Sequence, residues 1–116
     1  MSGPSQHDGL EAERWNGFGL ERQVLMIANE MHRARRFLDD AGQPERLRAC
    51  YRRVLRLLDL TVEVNPRPTL RRELLRLREV MAALYLAEAP RPAEHHRALR
   101  ALLQLSPPAA RQLAHL

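Results

Sequence analysis

The chain has 116 residues, of which 45% are apolar and 28% charged, with a net charge of +5. Folding at that length buries about two thirds of the extended chain's surface, enough for one core in one domain without disulfides or metals. The composition excludes a disulfide scaffold, since Cys50 is the only cysteine, and a transmembrane helix, since no apolar run approaches the roughly 18 residues needed. Every positive charge apart from histidine is an arginine, because the chain contains no lysine. The guanidinium fork binds phosphate and carboxylate bidentately, which points to an acidic partner. A GC-rich coding sequence, which also raises Ala, Leu and Pro, is the commoner source of such a composition. The start Met1-Ser2-Gly3-Pro4 has neither a basic stretch nor an apolar run, so no signal peptide is expected. With a lone cysteine suited to a reducing compartment, the expected location is cytoplasmic.

Residues 1–17 carry Ser, Gly, Pro and His and read as a flexible, mildly acidic arm. At its end, Trp15-Asn16-Gly17-Phe18-Gly19 places two aromatics beside glycines that permit a tight turn. Trp15 and Phe18 are expected to fold back onto one end of the helical domain, 18–116. Its first helix is predicted over 18–41, where Leu20, Val24, Ile27, Met31, Ala34 and Leu38 recur at the 3.6-residue period. Gly42 then sits where a C-terminal cap belongs.

Pro44 suits the first turn of a second helix, which carries Leu47, Tyr51, Val54, Leu58, Thr61 and Val62 within about 100° of arc. Cys50, Leu55 and Leu57 widen that stripe, so this helix must touch more than one neighbour. It is predicted to end at Asn65, before Pro66-Arg67-Pro68. Thr69 can cap a third helix, predicted to run to Ala89 with Leu70, Leu74, Leu77, Met81, Leu84 and Tyr85 inward. After Pro90-Arg91-Pro92 a shorter helix, 93–105, buries Leu99, Leu102 and Leu103. Ser106-Pro107 opens a last turn through Ala114. Straight-chain and Leu/Ala-rich stretches favour helix throughout, because these side chains lose little rotamer freedom there. Six of the ten glutamates have Arg three residues later, a spacing that makes neighbours on a helix surface.

The span 34–58 resembles the helix–turn–helix of tetratricopeptide repeats and of microtubule-interacting and transport domains, in Gly42 at the turn and Leu47, Tyr51, Val54 and Leu55 after it. No second copy follows at that repeat's period of about 34 residues, so the resemblance implies stacked αα-hairpins and nothing about binding residues. Arg91 and His96 are similar in spacing to the Arg-x4-His pattern of the HEPN family of helical RNases, where the pair acts on an RNA phosphate and 2′-hydroxyl. Pro92 stands where that family has a polar residue, and the reading preferred is a helix start with solvent-facing histidines.

Metal chemistry finds no foothold. None of the ten glutamates has a His three residues later, as helical di-metal sites need. No His pair has the i, i+4 spacing of a helical zinc site, and adjacent His95 and His96 diverge by about 100°. Cys50 lies inside an apolar face as a small hydrophobe does.

The expected fold is therefore all-α: an antiparallel four-helix bundle of three long helices and one shorter, plus a short C-terminal turn. Leu75 and Leu86, far from the core stripe of the third helix, and Leu60 on the second suggest another buried surface, as in a helical homo-oligomer. The expected function is a non-enzymatic interaction or adaptor module that self-associates through Leu60, Leu75 and Leu86, with Trp15 and Phe18 as further docking residues. Its expected partners are a second copy and another protein, with no cofactor, metal or membrane. The alternative is an accessory RNA- or DNA-binding protein, using Arg48, Arg52 and Arg56 on the second helix and Arg72 and Arg76 on the third.

Overall fold

The computed structural model describes residues 4–40 and 42–113, with side chains described over 11–40 and 42–112. All regular structure among the described residues is helical: α1 (Pro4–Leu38), α2 (Pro44–Val64), α3 (Pro68–Leu86), α4 (Pro92–Gln104) and α5 (Pro107–Leu113). Four of these helices begin on a proline a few residues after the previous helix ends. In the two Pro-Arg-Pro joints the residue before the second proline is extended, Arg67 at φ −61°, ψ 125° and Arg91 at φ −81°, ψ 131°. Proline imposes that geometry on its predecessor, yet its own fixed φ suits the first helical turn. The second proline of each joint thus opens the next helix rather than merely ending the last one. Thr69 is consequently not a cap, and α3 stops at Leu86, short of the predicted Ala89.

The core gathers one side of every helix. α1 supplies Val24, Ile27, Met31 and Ala34, α2 supplies Leu47, Tyr51, Val54 and Leu58, α3 supplies Leu74, Leu77, Met81 and Leu84, and α4 supplies Leu99 and Leu102. α1 packs along α2, α2 along α3, α4 against both α1 and α3, and α5 against α1 and α4. Arg71 of α3 donates from Nε and Nη2 to the Val62 carbonyl at 3.3 and 3.0 Å. It thereby satisfies one of the acceptors that the C-terminal end of α2 leaves unpaired.

The first helix differs most from expectation. The segment from Pro4 onward, read as part of a flexible arm, is helical, and α1 runs through it with one break at Gly19 (φ 77°, ψ 163°). Only glycine occupies that backbone region at low cost. The break redirects the chain so that Ala12 and Trp15 join the core. Burial of Ala12 and Trp15 and the pairing of Glu11 with Arg56 tie the helix ahead of the break to the rest of the chain. Gly19→Ala is expected to lower the unfolding free energy by about 1–3 kcal/mol, measured by urea denaturation; an unchanged midpoint would mean the junction does not need its left-handed geometry.

Gly42 is not the left-handed cap the sequence suggested, since Gly19 alone has positive φ among the described residues. The turn is organised by Asp40 instead, whose Oδ1 accepts from the Gly42 amide at 3.0 Å and Oδ2 from the Gln43 side chain at 2.7 Å. Those two donors, the Gln43 amide foremost, hold the Asp40 carboxyl below its ordinary pKa. Ser106 caps α5, with its Oγ accepting from the Ala109 amide at 3.4 Å. None of the helices is long and apolar enough to cross a membrane, among the described residues.

Candidate interaction surface on α3 and α4

The large hydrophobic side chains left exposed among the described residues are Leu75 (46%), Val80 (45%) and Leu86 (78%). All three belong to α3. Leu75 and Leu86, eleven residues apart, project within about 20° of each other, while Val80 lies about 140° round the helix. Leu75 and Leu86 form an outward ridge opposite the core, and Val80 lines a groove of ≈ 650 Å³ between α3 and α4. Leu77 and Leu84 of α3, Ala98 and Ala101 of α4, and Leu105 just after α4 complete its apolar wall, with Arg76 and Arg97 among its polar residues. Alanines on the α4 side leave the two helices without side chains large enough to fill the space between them.

The remaining candidate residues lie elsewhere. Leu60 is half-buried and packs against the core from α2, so it does not join the α3 group. Trp15 is only 4% exposed. Its ring meets Phe18 edge-to-face at 5.8 Å, and its Nε1 donates to Thr61 Oγ1 at 2.9 Å. Phe18 is half-buried beneath the Arg22 guanidinium, 5.3 Å from the ring centre. Both aromatics are thus engaged within the chain.

The arginine stripes are largely committed to local carboxylates. Arg48 pairs with Glu45 at 2.9 Å, Arg76 with Glu73 at 3.4 Å, and Arg56 with Glu11. Arg52 and Arg72 are exposed and in no ion pair among the described residues. The two stripes are also directed differently. The arginines of α3 that face α2 are Arg71 and Arg78, the latter paired with Asp59 at 2.5 Å, whereas Arg76 lines the groove toward α4.

One buried group was not anticipated. His95, expected at the surface beside His96, is 2% exposed and inside the core. Its Nε2 lies 3.0 Å from the Met31 carbonyl and its Nδ1 2.9 Å from the Tyr51 hydroxyl. A carbonyl can only accept, so Nε2 carries the proton and Nδ1 accepts from Tyr51. Burial pushes the His95 pKa below the usual histidine value; the Met31 hydrogen bond opposes this, and His32, Arg35 and His96 nearby add to it. Tyr51 is pushed up by burial. The adjacent cleft of ≈ 370 Å³ is lined by His32, Arg35, Asp39, His95 and His96 among others. Arg91 does not line it, so the Arg-x4-His pair of the sequence does not meet there. The missed signal is positional: His95 lies three and four residues before Ala98 and Leu99, on the buried face of α4.

Among the described residues no three His, Cys, Asp or Glu side chains gather as a metal site. Cys50 is buried, and that burial pushes its thiol pKa up although Arg53 Nη2, 3.6 Å from the sulfur, opposes the shift. No protein-family model, curated protein or solved structure matches the chain.

Proposed function

We propose that this protein is a non-enzymatic interaction module that self-associates, with α3 as its principal interface. One observation carries the reading: Leu75, Val80 and Leu86 gather on a single helix instead of being scattered. Isolated exposed leucines are ordinary on a soluble protein, but several on one helix beside an apolar groove mark an interaction surface. In this reading the chain is an antiparallel four-helix bundle closed by α5. The pairing of Gln23 with Asn65 and of Glu30 with Arg53 supports opposed directions for α1 and α2. Arg78 with Asp59 and Arg71 with the Val62 carbonyl do the same for α2 and α3.

The test is size-exclusion chromatography with light scattering. The parent protein is expected above its 13.4 kDa chain mass. Leu75→Glu combined with Leu86→Glu is expected to weaken association at least about a hundredfold, since each leucine contributes roughly 1.5–3 kcal/mol when buried. Helicity should be retained, because neither side chain is in the core. A parent that stays monomeric would remove the self-association reading. Nucleic acid that co-purifies and is released by salt would bring the arginine surfaces forward in its place.

A further inference from the structure

The pattern of α3 specifies which partner fits it and in what orientation. Arg72, Leu75, Glu79, Ala82 and Leu86 recur at steps of three, four, three and four. This is the seam spacing of two helices packed side by side. Four of the five are exposed and Ala82 is half-buried, so the seam is unoccupied by the chain's own helices. Its charges are unevenly placed. Arg67 and Arg72 stand toward the N-terminal end, while Glu79 lies past the midpoint and Glu88 just beyond the C-terminal end. None of these four is in an ion pair among the described residues, whereas Arg71, Arg76 and Arg78 beside them are engaged locally.

We infer that a second copy of this chain docks α3 against α3 with the two helices antiparallel. The inference rests on the self-association reading and adds its geometry. Antiparallel docking brings the basic end of each helix against the acidic end of the other, whereas parallel docking would set Arg72 against Arg72. In the register that places Leu75 against Leu86 of the second copy, Arg72 lies toward the end of that copy's α3, where the chain leaves the helix at Ala87 and carries Glu88. Glu79 then faces Ala82 of the second copy, the smallest side chain on the seam. The arrangement is two-fold, so every contact is made twice and the surface is complementary to itself.

Cysteine pairing tests this directly. Leu75→Cys and Leu86→Cys are made as separate variants, and oxidation by copper–phenanthroline with air joins thiols brought within reach. Cys50 is buried and stays out of the reaction. A mixture of the two variants is expected to give a disulfide-linked dimer, while either alone gives none. Like positions are about 16 Å apart along the axis in this register, beyond the roughly 7 Å Cα separation a disulfide tolerates. Arg72→Glu is expected to weaken association about tenfold, and adding Glu88→Arg to the same chain to restore it. Crosslinking of either variant by itself, or a dimer by light scattering whose mixture does not crosslink, overturns the antiparallel register and leaves self-association standing. A monomeric parent overturns both.

Discussion

Trp15→Ala is expected to lower the unfolding free energy by about 3–5 kcal/mol, the cost of emptying a large buried aromatic site, and to release residues 4–18 from the rest of the chain. The side chain is the largest one that the helix ahead of Gly19 buries, among the described residues. Its indole Nε1 donates to Thr61 Oγ1 at 2.9 Å, and that hydroxyl in turn donates to the Leu57 carbonyl at 2.7 Å. Its own carbonyl, in the last turn before the break, accepts from the fully buried Gln23 amide at 2.8 Å. Gln23 also accepts from Asn65 at 3.0 Å, which ties the start of the second part of α1 to the end of α2. Thr61→Val removes the acceptor for the indole together with the hydroxyl's own bond to the Leu57 carbonyl, and should cost about 1–3 kcal/mol. Hydrogen exchange across 4–18 measures the release: faster exchange in that segment, with α2 to α4 still protected, is the expected pattern. If Trp15→Ala leaves that segment as protected as in the parent, the helix before Gly19 is held by something other than the tryptophan.

Acidification is expected to weaken the fold through His95. The unfolded chain takes up a proton on this residue as the pH falls through about 6.5. The native imidazole resists, because burial and the positive groups around it lower its pKa. Below that pH the unfolded state binds more protons than the native one, so stability falls as pH falls. The slope is at most about 1.4 kcal/mol per pH unit and ends once the depressed native pKa is reached. Above about pH 7 the contribution is fully present and constant. Urea denaturation at about pH 7.5 and pH 5.5 reads the difference before carboxylates titrate. His95→Gln keeps a donor for the Met31 carbonyl but cannot titrate. It should start about 1–3 kcal/mol less stable, having lost the Tyr51 bond, and show a flatter dependence across this window. An equally steep dependence in that variant would assign the acid sensitivity to a group other than His95.

The ridge on α3 is legible in the amino-acid pattern, because a residue's angle from a regular core stripe is set by the helical repeat alone. Leu75 and Leu86 fall outside that stripe and are exposed. Leu60 shares that signature but is half-buried against the core, which the angle by itself does not reveal. Val80 and the groove beside it could not be read from the chain, since a groove depends on the spacing of two helices far apart in sequence. The arginines illustrate the same limit. Periodicity places Arg72 and Arg76 on one side of α3, but whether that side meets α2 or α4 depends on packing.

The helical class and most of the helix limits are written in the amino-acid pattern. So are most of the inward faces, because hydrophobic period, proline positions and short joints act within a few residues of each other. The rest depends on contacts between residues far apart in the chain. The helix ahead of Gly19 is tied to the rest of the chain where Trp15 finds a pocket and a hydroxyl 46 positions away, an energy no local pattern contains. His95 is a core residue because Met31 and Tyr51, on two other helices, offer a carbonyl and a hydroxyl at hydrogen-bond distance. Burying a polar side chain is costly unless distant partners satisfy it, and only the folded arrangement can provide them.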